Sequence, residues 1–354
     1  MLSYLLLLFI PAAVLLDLAH APPVWIFLAS ALALLPLASW MGRATEELAA
    51  RAGSTVGGLL NATFGNAAEL IIAVVALLAG KTEVVKASIT GSILSNLLLV
   101  LGAAIFLGGL RRERQFFNAQ AAGLSVSLLT LSLIALLLPA LFDMAERGYF
   151  RVDPTLPDQQ FSLAAALVLI VVYLANIYFS LRTHKDLIGG TSEAEHHPAN
   201  WSLGFSLGML AAATAGVAVM AEFLVGSLEG ATATLGLSEF FVGIILIPLV
   251  GNAAEHFAAV TFAIKNKMDL AVQIAVGSSL QIALLVAPLL VVVGYLSGHR
   301  MDLVFKNPLE LAALAASVLA TNAVVKDGET HWLEGFLLLG VYLLLAFAFF
   351  FTPH

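Results

Sequence analysis

Glu69 and Glu255 each close the same pentapeptide, Gly65-Asn66-Ala67-Ala68-Glu69 and Gly251-Asn252-Ala253-Ala254-Glu255, inside apolar stretches long enough to cross a bilayer. An ionisable group at membrane depth costs about 3 kcal/mol even on lenient insertion scales, so it reads by default as a functional group facing a cavity or a partner. Two copies in two halves of one chain predict a transporter. On a helix, Asn and Glu three residues apart share a face, and the Gly lies one turn before the Glu. Asn66, Glu69, Asn252 and Glu255 thus offer carboxylate and amide oxygens, and Ser92, Ser95, Asn96, Ser278, Ser279 and Gln281 add hydroxyls and amides from the stretches that follow. This all-oxygen set, with two carboxylates and no sulfur, suits a hard divalent cation, and Ca²⁺ accepts the irregular, roughly six- to eight-fold coordination of a flexible site. The candidate ligands are Glu69, Glu255, Asn66, Asn252 and Gln281; Gly65, Gly251, Ser92, Ser95, Asn96 and Ser278 are expected to line the same site.

The same residues suggest an exchange mechanism. A carboxylate in a low-dielectric cavity beside a second carboxylate takes up a proton more readily, and a bound divalent cation reverses that preference. Cation and protons then compete for the same oxygens, and two glutamates predict two protons per Ca²⁺, titrating as a pair. His256 follows the second carboxylate directly, where the first copy has Leu70. It is a candidate proton relay, set against a plain packing role, because neighbouring helical residues point about 100° apart.

These residues need membrane helices to position them. The chain is 60% hydrophobic and 11% charged, with a mean hydropathy of +0.98, values beyond those of a soluble domain. Leu2 to Leu18 lacks a basic leader and a cleavage site, so it is read as a span. No cysteine is present, which excludes disulfides and thiolate chemistry, and the net charge of −7 with no basic cluster gives no sign of nucleic acid. No cofactor is expected; Ca²⁺ enters as transported substrate, with protons and the lipid bilayer as the other partners. At roughly 20 residues per crossing, an all-α fold of eleven spans is predicted at 2–19, 22–41, 54–79, 84–109, 116–140, 159–181, 201–227, 238–264, 269–297, 308–325 and 332–352.

Within the eighth span, Pro248 cannot donate to the carbonyl of Ile244 and Gly251 eases unwinding. A break just before Glu255 is therefore expected, a plain proline kink being the alternative. The first copy has Ala62 in place of the proline and relies on Gly57, Gly58 and Gly65.

A constant offset of 186 residues relates the copies over 36 positions, from Gly65 to Val100, also aligning Lys81 with Lys267, Gly91-Ser92 with Gly277-Ser278 and Leu98-Leu99-Val100 with Leu284-Leu285-Val286. Five spans per copy is odd, so the second copy enters from the opposite side, as an inverted repeat. The expected organisation is an extra N-terminal helix (1–20), a first five-helix repeat (21–181), a cytoplasmic inter-repeat loop (182–200) and a second five-helix repeat (201–354). An N-terminus inside places Arg43, Arg51, Arg111, Arg112, Arg114, Arg182, Lys185, Lys265, Lys267 and Lys326 in the cytoplasm and Lys81, Lys86, Arg147, Arg151, Arg300 and Lys306 outside. The positive-inside rule favours this orientation, with the C-terminus outside.

The two Gly-Asn-Ala-Ala-Glu motifs, with Gly91-Ser-Ile-Leu-Ser-Asn-Leu-Leu-Leu-Val-Leu-Gly102 and Gly277-Ser-Ser-Leu-Gln281, resemble the signatures of the calcium/proton exchanger (CAX) family of Ca²⁺/cation antiporters across the whole chain. The resemblance implies that Glu69 and Glu255 carry Ca²⁺ in one state and protons in the other, with Gln281, Ser92 and Ser278 lining their site. It also implies an acidic helix between the halves, of which Glu193 and Glu195 are a short remnant. Short loops and tails suggest a prokaryotic plasma membrane.

Other charged residues read more plainly. Glu222, deep in the seventh span, is a candidate for an access path or for packing, and Glu229 is placed at the membrane surface. Arg43, Glu46, Glu47 and Arg51 suggest an amphipathic connector, and Asp143, Glu146, Asp153 and Asp158 an acidic, solvated outer loop. A sodium-coupled exchanger stays open, although Ile282 opposite Asn96 leaves the second half poorer in ligands. A divalent cation channel fits two inverted copies less well, and no HExxH, GxSxG or Cys-His pattern supports an enzyme.

Overall fold

A computed structural model describes residues 5–146, 155–183 and 199–352 of the chain. In hydrocarbon every backbone N–H and C=O must be satisfied within the protein, and the chain answers with helices. They are α1 (Phe9–Leu18), α2 (Pro23–Phe64), α3 (Ala67–Leu78), α4 (Thr82–Gly109), α5 (Ala119–Ala145), α6 (Thr155–Tyr178), α7 (Leu203–Gly226), α8 (Leu228–Leu235), α9 (Glu239–Gly251), α10 (Ala253–Ile264), α11 (Met268–Ser297), α12 (Pro308–Val325) and α13 (Trp332–Phe350). Among the described residues eight helices are long and apolar enough to cross a membrane, or nine if α8 and α9, bent by 110°, form one span. Their ends carry conventional signals: Ser202 accepts from Phe205 N at the start of α7, and Gly236, with φ 66°, takes the left-handed conformation that ends α8.

One feature departs from the expected spans and two concern the expected breaks. First, the connector expected at 42–53 is helical. The chain still turns near there, because a Cβ on Gly57 would stand 2.5 Å from the carbonyl oxygen of Ala49, whereas eight residues of straight helix span about 12 Å. Second, both motif-bearing spans are interrupted as expected, at Gly65-Asn66 and, just before Glu255, at Asn252. Third, Pro248 does not mark the break. It sits at the start of a helical turn, Ile247–Gly251, directly after a π-helical stretch, Val242–Leu246, whose wider turn absorbs the missing donor. The element boundaries keep the offset of the motifs: α3 begins at Ala67 and ends at Leu78, and α10 begins at Ala253 and ends at Ile264. Likewise α4 and α11 carry π-helical stretches at Ser95–Val100 and Ile282–Val286.

The described residues form two compact units that differ from the sequence halves: 5–88 with 177–183, 199–254 and 352, and 89–146 with 155–176 and 255–351. In the first, Leu34, Leu37 and Met41 of α2 pack with Ile72 of α3, Val217, Met220 and Leu224 of α7, and Val242 and Ile247 of α9. The expected amphipathic connector is not simply solvated. Glu47 is 8% exposed and accepts from the backbone N–H of Asn200 and Trp201 at 2.7 and 3.1 Å. Arg51 donates to the Trp201 carbonyl, and the Trp201 ring stacks with Trp40 and meets the Arg43 guanidinium.

In the second unit α4 and α13 pack backbone to backbone: a Cβ on Gly335 would meet Gly102 O at 2.5 Å, the close approach that small residues permit between membrane helices. A two-stranded ribbon pairs β1 (Gln115–Phe116) with β2 (Glu329–Thr330), antiparallel, beside an Arg114–Glu329 ion pair at 3.2 Å. Asp143 and Asp158, expected in a solvated loop, are buried at 6% and 4% exposure. Asp153, Glu193, Glu195, His196 and His197 lie outside the described residues.

Candidate functional site

In the first unit α2 ends at Phe64, the chain turns through Gly65 and Asn66, and α3 begins at Ala67, so Glu69 falls in the first turn of a twelve-residue helix. A helix N-terminus carries partial positive charge and favours a carboxylate there. Asn66 and Glu69 are buried, at 5% and 9% exposure. Gly251 closes over this carboxylate: a Cβ built on it would stand 2.8 Å from Glu69 Cγ. Asn252, the next residue, is also buried. Glu69, Gly251 and Asn252 therefore belong to one packed region, drawn from both copies of the motif. Gly65 is exposed at the turn.

In the second unit Glu255 occupies the first turn of α10. Ser278 Oγ donates to Glu255 Oε2 at 2.7 Å, and Asn96 Nδ2 donates to Ser278 Oγ at 3.1 Å. The chain Asn96–Ser278–Glu255 orients one carboxylate oxygen through two side chains that are themselves buried. Ser95, also buried, lies 3.2 Å from His256 Nε2; the histidine thus reaches this polar group. Ser95 and Asn96 open the π-helical stretch of α4, a distortion often found at functional sites. Ser92 is buried on the same helix, and Gln281, the counterpart of Ser95 in α11, is partly buried. Ser279, expected to add a further hydroxyl oxygen, is buried and donates its hydroxyl proton to Ala275 O of its own helix at 3.0 Å. Among the described residues no three His, Cys, Asp or Glu side chains gather as a metal cage, so the donors available are carboxylates mixed with amides and hydroxyls.

Glu222 and Glu229 line a cavity of about 450 Å³ in the first unit with Val75, Leu78, Lys81 and Val225. Lys81 forms ion pairs with Glu229 and, at 3.1 Å, with Glu239. Burial pushes its pKa down, but the hydrogen bonds and charges of the two carboxylates outweigh that and hold it above 10.5. Sequence reasoning missed Glu310, which is 5% exposed and accepts from Thr90 Oγ1 at 2.9 Å. In sequence it looks like an acid placed in the first turn of α12 after Asn307-Pro308, and nothing in that pattern points to α4.

The family model for Sodium/calcium exchanger protein matches residues 22–182 and 205–351. The chain belongs to this family. This exchanger-family chain is 50% identical over 362 residues to the Ca(2+)/H(+) antiporter of Aphanothece halophytica, covering 98% of this chain and 96% of that one. It is 42% identical over 346 residues to the Ca(2+)/H(+) antiporter ChaA of Bacillus subtilis (strain 168), covering 96% of each. Among solved structures, native YfkE matches with a TM-score of 0.85 at 39% identity, covering 99% of this chain and all of that one. The H+/Ca2+ exchanger CAX matches with a TM-score of 0.72 at 16% identity, covering 98% of this chain and 91% of that one, a likeness of fold. The resemblance read from the two acidic motifs is borne out.

Proposed function

We propose that this exchanger-family chain is an integral membrane antiporter that exports Ca²⁺ from the cytoplasm in exchange for entering protons, with Glu69 and Glu255 carrying the cation in one state and protons in the other. The observation that carries this reading is the local form of both motifs. Each interrupts its helix at the asparagine and presents its glutamate in the first turn of the next. Buried amides and hydroxyls accompany each carboxylate, a donor set suited to Ca²⁺. The named activities of the Aphanothece halophytica and Bacillus subtilis relatives support calcium and protons as the exchanged pair.

The residues divide the work by chemistry. A carboxylate withdrawn from water binds either a proton or a cation, and exclusion of one by the other is the requirement for coupling. Asn96 and Ser278 hold one oxygen of Glu255 in place, which lowers the reorganisation needed when a cation arrives. Asn66, Asn252 and Gln281 complete the proposed ligands, Gly65, Gly251, Ser92 and Ser95 line the site, and His256 is the proposed relay. The chain is a carrier rather than an enzyme.

The proposed layout is eleven membrane helices: one extra helix, then inverted repeats at 21–181 and 201–354 joined by 182–200. The coincidence of α3 with α10 and of the π-helical stretches of α4 and α11 supports the repeat. Within each unit, contacts join segments to which the alternation assigns one side: Lys81 with Glu229 and Glu239, Glu47 with Asn200, Arg114 with Glu329, and Arg300 with Gln159. The lysine and arginine bias then places the N-terminus in the cytoplasm and the C-terminus outside. Short loops and the bacterial relatives support a prokaryotic plasma membrane.

The family description also names sodium, so the test must separate the two couplings. Purified protein in liposomes is given a pH gradient or a Na⁺ gradient while Ca²⁺ entry is followed. Uptake driven by the pH gradient and unaffected by Na⁺ is expected; uptake driven by Na⁺ alone would transfer the chain to sodium coupling.

A further inference from the structure

Glu310 is a buried carboxylate that the exchange mechanism above does not use. It stands at the third residue of α12, where a helix-capping glutamate commonly turns back on its own helix. Its Oε2 accepts the hydroxyl of Thr90 at 2.9 Å, and Thr90 is fully buried. Thr90 belongs to α4, two residues before Ser92 and within two turns of Ser95 and Asn96. From Asn96 the hydrogen-bond chain continues through Ser278 to Glu255.

We propose that Glu310 is a positioning residue for the exchange site: by accepting the Thr90 hydroxyl it fixes the rotation and height of α4, and with them the donors that orient Glu255. The π-helical stretch Ser95–Val100 interrupts the regular ladder of α4, and such a stretch accommodates changes of helix register. The Thr90–Glu310 hydrogen bond, between two helices and ahead of that stretch, restrains this freedom. Apolar packing alone is weakly directional and leaves rotation about the helix axis less well defined. The role needs an acceptor at Glu310 and a donor at Thr90, and it needs no proton to move. This inference rests on the reading of Glu255 as an exchange residue.

The test compares Thr90→Val, Glu310→Ala, their double variant, Glu310→Gln, Thr90→Ser and Glu255→Gln in proteoliposomes, with folding checked by monodispersity and thermal unfolding. Thr90→Val and Glu310→Ala should each raise the apparent KM for Ca²⁺ roughly tenfold, with the maximal rate changed less, and the double variant should be no worse than the poorer single one. Glu310→Gln and Thr90→Ser, which keep acceptor and donor, should restore most of the affinity and leave the pH profile of exchange where wild type has it. A displaced pH profile or lost exchange in Glu310→Gln would overturn the proposal by showing that Glu310 titrates in the cycle. Additive losses in the double variant, or a wild-type KM in well-folded Thr90→Val, would overturn it as well. Glu255→Gln separates the two layers: intact exchange there defeats the site reading itself, whereas lost exchange there with a normal Thr90→Val defeats the positioning role alone.

Discussion

Gly251, the first residue of the second motif, packs against Glu69, the last residue of the first: a Cβ added to the glycine would stand 2.8 Å from Glu69 Cγ. The two copies of the pentapeptide are thus joined by the absence of a side chain. Glu69 is 9% exposed, so a methyl group at Gly251 displaces the middle of a confined side chain, and its carboxylate moves with it. Gly251→Ala is expected to reduce Ca²⁺ transport at least tenfold while costing about 1–3 kcal/mol of stability, the usual range for overpacking. Transport assays paired with thermal unfolding check this, and wild-type transport in a folded Gly251→Ala protein would show that the contact has no bearing on Glu69.

Ser278 is the link between Asn96 and Glu255. Ser278→Ala removes a hydroxyl that donates to a carboxylate and leaves the Asn96 amide without that acceptor, a loss of about 1.5–3 kcal/mol for a hydrogen bond to a charged group. The apparent affinity for Ca²⁺ should fall roughly tenfold or more. Ser278→Thr keeps the hydroxyl and should retain the larger part. Equal behaviour of the two variants in a Ca²⁺ titration would remove the hydroxyl from the account.

Glu47 ties the start of α7 to α2 by accepting two backbone N–H groups. Glu47→Ala leaves those donors unmet near the Trp201 ring, and about 1–3 kcal/mol of stability should be lost. Thermal unfolding in detergent measures it. Glu47→Gln, which keeps one acceptor, should lie between Ala and wild type.

Lys81 supplies a pH signature. Its folded pKa is held above 10.5 by Glu229 and Glu239 against the effect of burial. A raised folded value means the ion pairs contribute fully below the unfolded pKa and are lost as pH rises through the folded one. Stability should therefore hold across neutral pH and fall in the alkaline range above about 10.5, with Lys81→Met abolishing that alkaline component. Melting curves of both proteins from neutral to alkaline pH test the sign.

The acidic motifs were legible in the sequence because Asn and Glu are rare in apolar stretches, so a gapless repeat of both carries information that Leu and Val cannot. The break in the second motif span was legible, and it falls just before Glu255 as expected, at Asn252, but Pro248, read as one of its causes, sits within a helical turn. The π-helical turn before the proline accommodates its missing N–H, a backbone adjustment with no side-chain signature. Glu47 read as solvated because Arg43, Glu46 and Arg51 surround it in sequence; its burial depends on Asn200 and Trp201, distant in the chain, and Asp143 and Asp158, read as part of an outer loop, are buried as well. The same holds for His256, whose reach to Ser95 is fixed by packing rather than by helical phase.

The central claim is that Glu69 and Glu255 exchange Ca²⁺ for protons, and the most direct measurement is proton movement during Ca²⁺ flux. Liposomes carrying wild type, Glu69→Gln or Glu255→Gln are loaded with a luminal pH dye, and Ca²⁺ and proton fluxes are recorded together under an imposed pH gradient. The account predicts opposed, coupled fluxes in wild type and neither flux in either variant. Coupled exchange surviving both substitutions would contradict it.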